Sequence, residues 1–566
     1  EMKGELLEKR WEKTGWSAYL YYPDMPNRSV EKVCSITVLR TDESKESAEA
    51  LLQAGLEELA EEKHLVLCFP NPPAGGWRWK DKEGRKEDIC MVAAMQDGMN
   101  RPDDGPVPVN EKGIPTYEFM LSTWHTMNDT RYFIGIGDGA SLLAAMIALD
   151  PRNMAAALLL GAQIDEETEK MAVGSPVPAW LCGCSDQVVG CLKEMDGVSK
   201  LAEEEGVLIN DVNPAVHLVI EKEKRALGPE LLAQVWEELF SKTRRLNTSF
   251  YGDCSDRTDM EDPGFEWFLE DKRLDGKPHS WLVHTPQKVR EGKVDKVPVV
   301  FFYHGGSDNP SEAAEMSRFH EIGEEAGFIT VYPWGSNRAG WNMELLPDGE
   351  DDLSYCKALI IYMLEHYPID EQRVYLSGFS NGAGMAQTIA MIYPELVAAL
   401  GHIDSNWPGV RGGYCEVNYR DVEPMRLALE KKETYDWRMP VWYTYGTREA
   451  SSPIRRNSSQ QHQYDFWKRY NRIEVEPTPE AGEEGPEHGV DGKVSELLHP
   501  DLRHPEHYYT VQRFFSEDTE GENTYNFVLM HDKGHEVAPM DARLAWNYMK
   551  QFCRRKNGTV GKTGEE

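Results

Sequence analysis

Ser380 lies in the stretch Val374-Tyr375-Leu376-Ser377-Gly378-Phe379-Ser380-Asn381-Gly382-Ala383-Gly384-Met385. The stretch reads as an apolar strand, a Gly-x-Ser-x-Gly turn and a helix start. A turn of this kind strains the backbone and lifts the serine hydroxyl above a sheet. Serine is a poor nucleophile until a base takes its proton, so the rest of the chain must supply a base, an acid and donors for an oxyanion. Asn526–Met530 reads as a strand running into His531-Asp532-Lys533-Gly534-His535, with a helix from about Pro539. His535, after a glycine and before that helix, is the expected base, and His531 at the strand end is its rival. Pro440–Tyr445 reads as another strand, and Glu449 follows it. A carboxylate there can orient the imidazole and stabilise its charged form. Asp404 and Asp532 are the alternative acids, and a surface pair with Arg448 is the competing use of Glu449. One oxyanion donor is expected from the Asn381 N–H and the other from Gly305 or Gly306. These glycines follow the apolar run Val299–Tyr303, which fits a buried parallel strand. His304 is expected to orient that loop.

These residues need a scaffold, and the chain alternates strand-like and helix-like segments, which predicts an α/β class with mostly parallel sheets. It also repeats itself. Ser17–Pro23 resembles Ser280–Pro286, and His64–Pro70 resembles Gly327–Pro333. Tyr132–Gly139 resembles Tyr375–Gly382, and Pro178-Ala179-Trp180 resembles Pro440-Val441-Trp442. Near the ends, Pro229, Trp236 and Arg244-Arg245 match Pro539, Trp546 and Arg554-Arg555. The matches are collinear, so the chain reads as two copies of one α/β unit, 1–247 and 248–566. The copies differ where chemistry would sit. Gly137 stands opposite Ser380, Arg225 opposite His535, and Thr41-Asp42-Glu43 opposite His304-Gly305-Gly306. The first copy therefore reads as catalytically silent, a built-in dimer partner or a cover for the second. Gly135-Ile136-Gly137-Asp138-Gly139-Ala140 also fits a dinucleotide fingerprint, but the repeat already accounts for these glycines. The second copy is longer between Glu449 and His535. The insertion lies around 450–520, and its acidic, Pro/Gly-rich part from Glu474 to Asp501 is expected to form a loop or lid.

With 61 basic and 96 acidic residues the formal charge is −35. That disfavours nucleic acid and anionic membranes as partners, and no run approaches a membrane span. The ten cysteines are scattered, several in apolar runs (Cys34, Cys68, Cys90, Cys182, Cys553). They read as reduced thiols of a cytoplasmic protein rather than a disulfide framework. Cys182, Cys184 and Cys191 lack a second Cys/His pair at zinc spacing, so no metal and no cofactor is expected.

The second copy resembles the polyhydroxybutyrate depolymerase/feruloyl esterase branch of the α/β-hydrolases. The likeness runs from His304-Gly305-Gly306 through Val331-Tyr332-Pro333, Gly340-Trp341-Asn342, Asp351-Asp352 and the elbow to Tyr393-Pro394 and Gly534-His535. It implies tandem α/β-hydrolase-like units and a serine carboxylic-ester hydrolase with Ser380, His535 and Glu449 as triad. Trp341 and His304 are implied at the substrate site. The ester would be small, of feruloyl, cinnamoyl or acetyl type. A peptidase, an acyltransferase or a short-chain polyester depolymerase on the same triad is the alternative, with a non-catalytic binding protein further off. Family members commonly carry Asp where Glu449 stands, and secreted ones carry cysteines where this chain has Ala339-Gly340 and Gly306.

Overall fold

The computed structural model describes residues 4, 6–11, 14–24, 33–97, 99, 126–198, 200–201, 206–336, 340–410, 416–449, 458–475, 494–516 and 522–564. They form two compact units, Glu1–Arg257 and Thr258–Glu566.

The first unit holds a ten-stranded sheet. Its strands are β1 (Leu6–Trp11), β2 (Trp16–Tyr21), β3 (Val33–Leu39), β4 (Val66–Pro70), β5 (Thr126–Ile136), β6 (Ala156–Leu160), β7 (Ala179–Cys182), β8 (Lys200–Leu201), β9 (Val207–Ile209) and β10 (His217–Glu221). They lie in the order β1-β2-β4-β3-β5-β6-β7-β10-β9-β8. The strands from β4 across to β10 run parallel. A closing hairpin, β11 (Thr243–Leu246) with β12 (Asp253–Asp256), carries this unit past residue 247 to Arg257.

The second unit repeats the plan strand for strand. Its strands are β13 (Phe265–Asp271), β14 (His279–His284), β15 (Val297–Tyr303), β16 (Ile329–Pro333), β17 (Ile369–Phe379), β18 (Ala399–Ile403), β19 (Val441–Gly446), β20 (Glu496–Leu498), β21 (Tyr509–Phe515) and β22 (Asn523–Met530). Their order is β13-β14-β16-β15-β17-β18-β19-β22-β21-β20, and β23 (Phe552–Arg554) pairs with β24 (Val560–Lys562) at the end. The central strands β15, β16, β18 and β19 and the second half of β17 are buried along their length and mostly apolar, because helices cover both faces. Along β15, Val299, Phe301 and Tyr303 join one core with the helices Asp352–His366 and Ser380–Ile392. Val300 and Phe302 alternate into the other core, with the helices Phe319–Ala326 and Pro539–Met549.

Two sequence expectations change in detail. Tyr132 and Tyr375 each donate a hydroxyl hydrogen bond to a closing hairpin, to the Thr243 carbonyl at 2.9 Å and the Phe552 carbonyl at 2.7 Å. That register sets Arg245, not Arg244, opposite Arg554. The stretch around 450–520 also contains the helix Ser459–Tyr470, which is almost wholly buried and follows β19 as the helix Asp186–Asp196 follows β7. It is a repeated element of the fold and not a lid. Residues 450–457, 476–493 and 517–521 lie outside the described residues. Among the described cysteines none forms a disulfide, and Cys90 is exposed despite its apolar neighbours. No helix among the described residues is long and apolar enough to cross a membrane.

Candidate active site

Ser380 follows β17 directly and opens the helix Ser380–Ile392 at φ +52°. A residue with a Cβ reaches this region only under strain, and such strain concentrates at functional turns. The flanking glycines are required by their neighbours. A Cβ at Gly378 would sit 2.8 Å from the Gly382 backbone, and one at Gly382 would overlap the carbonyl oxygens of Tyr303 and His304. The helix therefore seats directly on the end of β15, beside the loop that carries Gly305 and Gly306. The first unit keeps the same turn. Gly137 has φ +58°, and a Cβ at Gly139 would overlap the Leu39 carbonyl at the end of β3.

The loops after β15, β16 and β17 are tied together. His304 is fully buried, its Nδ1 lies 2.7 Å from the Gly305 carbonyl, and its Nε2 accepts from the Gly335 N–H at 3.0 Å. That acceptance puts the proton on Nδ1, so His304 is a neutral strut for the loop. Trp341 is 5 % exposed and donates its indole N–H to the His304 carbonyl at 2.9 Å. The Asn381 side chain accepts the Trp341 N–H at 2.6 Å. Buried Asp352 accepts from the N–H groups of Ser336 and Asn342 and pins the other end of the Trp341 loop. The Asn381 N–H stands in the first helical turn, where backbone donors have no intrahelical acceptor. Gly306 is exposed.

Glu449 and His535 are 86 residues apart in sequence, yet Glu449 Oε1 lies 2.8 Å from His535 Nδ1. The loops after β19 and β22 are stitched by backbone contacts, Thr447 N–H to the Met530 carbonyl at 3.1 Å and Arg448 N–H to the Lys533 carbonyl at 2.9 Å. Gly446 has no room for a side chain, since its Cβ would lie 2.5 Å from the Lys533 carbonyl. The His535 ring packs at 4.7 Å and a 38° tilt against Phe379, the residue before Ser380. Burial lowers the His535 pKa, but the Glu449 hydrogen bond and the charges of Asp404 and Glu449 outweigh it and raise the group above 6.5. Arg448 turns away from Glu449 to the Asp532 carbonyl at 2.5 Å.

The rival residues go elsewhere. His531 stacks on Tyr508 at 4.1 Å and lies 3.2 Å from the Thr510 hydroxyl. Asp532 is exposed and joins the site by its backbone. Asp404 approaches His535 and Glu449, with ligand-type atoms of all three within 4.8 Å. Its oxygens accept from the Gly446 N–H at 2.9 Å, Lys533 Nζ at 2.9 Å and the Glu536 N–H at 3.2 Å. Sequence reasoning missed Lys533 and Asp541. Lys533 Nζ bridges Asp404 and Asp541, 2.9 Å from each, with all three side chains 0 % exposed. The only signal for this in the sequence was a lysine two residues before His535.

Residues 286–415 match the Esterase PHB depolymerase family. The chain is 25 % identical over 222 residues to an acetylxylan esterase of Coprinopsis cinerea, the match covering 35 % of this chain and 56 % of that one. It is 29 % identical over 112 residues to a bifunctional acetylxylan esterase/xylanase of Neocallimastix patriciarum, covering 20 % of this chain and 16 % of the relative. The chain thus spans little more than half the length of the first of these relatives and a sixth of the second. Among solved structures, an acetyl xylan esterase from Aspergillus awamori aligns at 14 % identity, with a TM-score of 0.34, over 50 % of this chain and 98 % of that one. The matched segment lies within the second unit, whose sheet order and strained elbow are those of an α/β-hydrolase fold, and over that segment the unit is similar to the Esterase PHB depolymerase family.

Proposed function

We propose that the protein hydrolyses small acyl esters at Ser380. The observation that carries this reading is the Glu449–His535 hydrogen bond of 2.8 Å, formed where the His535 ring rests on the residue preceding Ser380. In this mechanism Ser380 Oγ attacks the ester carbonyl while His535 Nε2 takes its proton. Glu449 holds the imidazole by Nδ1 and stabilises the imidazolium. The Asn381 N–H and an N–H of Gly305 or Gly306 receive the developing oxyanion, each such donor being worth about 3–4 kcal/mol in the transition state. His535 then protonates the leaving alcohol, and water enters by the same base to release the acid.

Acetyl esters suit this site better than feruloyl esters. The resemblance implies Trp341 at an acyl or aromatic subsite; at 5 % exposure, with its indole N–H bonded to the His304 carbonyl, it offers little aromatic surface to a feruloyl group. The acetylxylan esterase relatives lean the same way. The first unit, with Gly137 at the elbow and Arg225 engaged by Glu221 at 3.0 Å, is proposed to be non-catalytic. A fluorophosphonate probe tests the reading: one label per chain, lost in Ser380→Ala, with p-nitrophenyl acetate cleaved faster than methyl ferulate. A labelled Ser380→Ala variant would sink it.

A further inference from the structure

The buried cluster beside His535 is unused by the ester chemistry described so far. Lys533 Nζ donates to Asp404 Oδ2 and Asp541 Oδ2 at 2.9 Å and to the Glu536 carbonyl at 2.8 Å. It thereby ties three segments together: the end of β18, the His535 loop and the first turn of the helix Pro539–Met549. Asp541 also accepts the Ala538 N–H at 2.9 Å. Asp404 takes its place at φ +43°, a left-handed conformation that Asp and Asn adopt more readily than other residues with a Cβ.

The first unit provides an internal comparison. Gly161 follows β6 as Asp404 follows β18, at φ +80°. Both donate their N–H to the adjacent strand, at 2.9 Å to the Cys182 and Thr444 carbonyls respectively. The last helices of the two units open on Pro229 and Pro539. Counted from these prolines, Leu231 stands where Asp541 stands and Glu223 where Lys533 stands. The whole ion cluster is therefore missing from the unit whose elbow lacks the serine. A cluster needed only to stabilise this fold would be needed in both units. Buried ion sets are seldom better than apolar packing for stability, and the first unit uses glycine and leucine there.

We infer that Lys533, clamped between Asp404 and Asp541, is a positioning residue that fixes the His535 loop in register with Glu449, and that the Asp404 carboxylate is a second anion behind the imidazole. This inference rests on the esterase reading of Ser380 and His535. The charged groups facing His535 are Glu449 from the loop after β19, Asp404 from the end of β18 and Lys533 from its own loop, with Asp541 behind on the following helix. Glu449 and Asp404 raise the imidazole pKa and Lys533 lowers it, while the Asp404–Lys533–Asp541 set carries one net negative charge when ionised.

The test imports the first unit's glycine and leucine. The triple variant Asp404→Gly/Lys533→Met/Asp541→Leu removes every charge together and leaves none unpaired; because the Gly446, Glu536 and Ala538 N–H groups lose their acceptors, it is expected to fold with a Tm lowered by a few degrees. Its kcat for p-nitrophenyl acetate is expected to fall about 10- to 100-fold through loss of register, with KM nearly unchanged. The acid limb of kcat/KM is expected to move to lower pH, because the net negative charge favouring the imidazolium is gone. Asp404→Asn is the second variant. Asn tolerates positive φ and keeps the shape, and it too should move the acid limb to lower pH. A folded triple variant with wild-type kcat and acid limb overturns the inference, as does an unmoved limb in Asp404→Asn. Fluorophosphonate labelling of the wild type separates the layers. An unlabelled Ser380 removes the esterase reading itself, whereas a labelled Ser380 with unmoved profiles overturns the positioning role alone.

Discussion

Replacing Glu449 by glutamine changes charge while keeping shape. The Gln carbonyl can still accept from His535 Nδ1, so the 2.8 Å contact and the ring orientation survive. What is lost is the attraction between a carboxylate and the imidazolium formed in the transition state. With charge centres about 4 Å apart and an effective dielectric of about 20–40, that attraction is about 2–4 kcal/mol. The higher dielectric is the relevant side, because the His535 side chain is 46 % exposed, although Glu449 is only 10 % exposed. The expected loss in kcat is therefore about 30- to 1000-fold, with little change in KM. The pH profile has a defined sign. His535 acts as a base when neutral, and its pKa lies above 6.5 because of Glu449 and Asp404. Removing the Glu449 charge lowers that pKa, so the acid limb of kcat/KM moves to lower pH and the deficit shrinks in acidic buffer. The assay is p-nitrophenyl acetate hydrolysis from about pH 5 to 9, with fluorophosphonate labelling as a check on Ser380. A variant within threefold of wild type, or an acid limb moving to higher pH, would refute the assignment of Glu449 as the acid.

Other perturbations follow from the same geometry. Gly382→Ala places a methyl group on the Tyr303 and His304 carbonyls, which cannot yield without moving β15. Overpacking of about 1–3 kcal/mol should outweigh a helix-propensity gain of about 1 kcal/mol, and thermal unfolding should show a lower Tm together with reduced kcat. Lys533→Met alone orphans two buried carboxylates, costing about 3–5 kcal/mol. For a unit of about 300 residues that corresponds to a Tm lower by about 5–8 °C in calorimetry at pH 8. Burial pushes the Asp404 carboxyl up even with Lys533 present; without the ammonium it rises further, so the loss should narrow as pH falls and Asp404 protonates. Gly137→Ser restores a hydroxyl to the first elbow but no base, since Arg225 is paired there with Glu221. A Ser380→Ala/Gly137→Ser protein should stay unlabelled by fluorophosphonate, as read by intact mass.

Some of this was legible before any coordinates. The elbow is a local object. Strand, Gly378, Ser380, Gly382 and helix occur within a dozen residues, and each glycine is demanded by a neighbour a few residues away or on the adjoining strand. The doubled architecture was legible because strand and helix periodicities recur in the same order, down to Tyr132 and Tyr375 on matching strands. One-residue slips, as at Arg244 and Arg245, were not, because short closing hairpins carry too little pattern to fix a register. The buried helix Ser459–Tyr470 is not legible in the sequence, because its buried face includes Gln460, Gln461, Gln463 and Lys468, which a hydrophobic pattern does not register.

Chain order alone placed the proposed nucleophile, acid and base past the carboxyl ends of β17, β19 and β22, since a parallel sheet sends every such loop to one edge. Which carboxylate meets His535 was a tertiary matter. Asp404, Glu449 and Asp532 all lie just past strand ends. Only the stitching of the β19 and β22 loops turns Glu449 toward the imidazole, leaves Asp532 outside and commits Asp404 to Lys533. Residues 129 apart in sequence share that buried ion pair. No local periodicity encodes it, because desolvated charges are matched by the packing of the whole sheet edge and not by their neighbours along the chain.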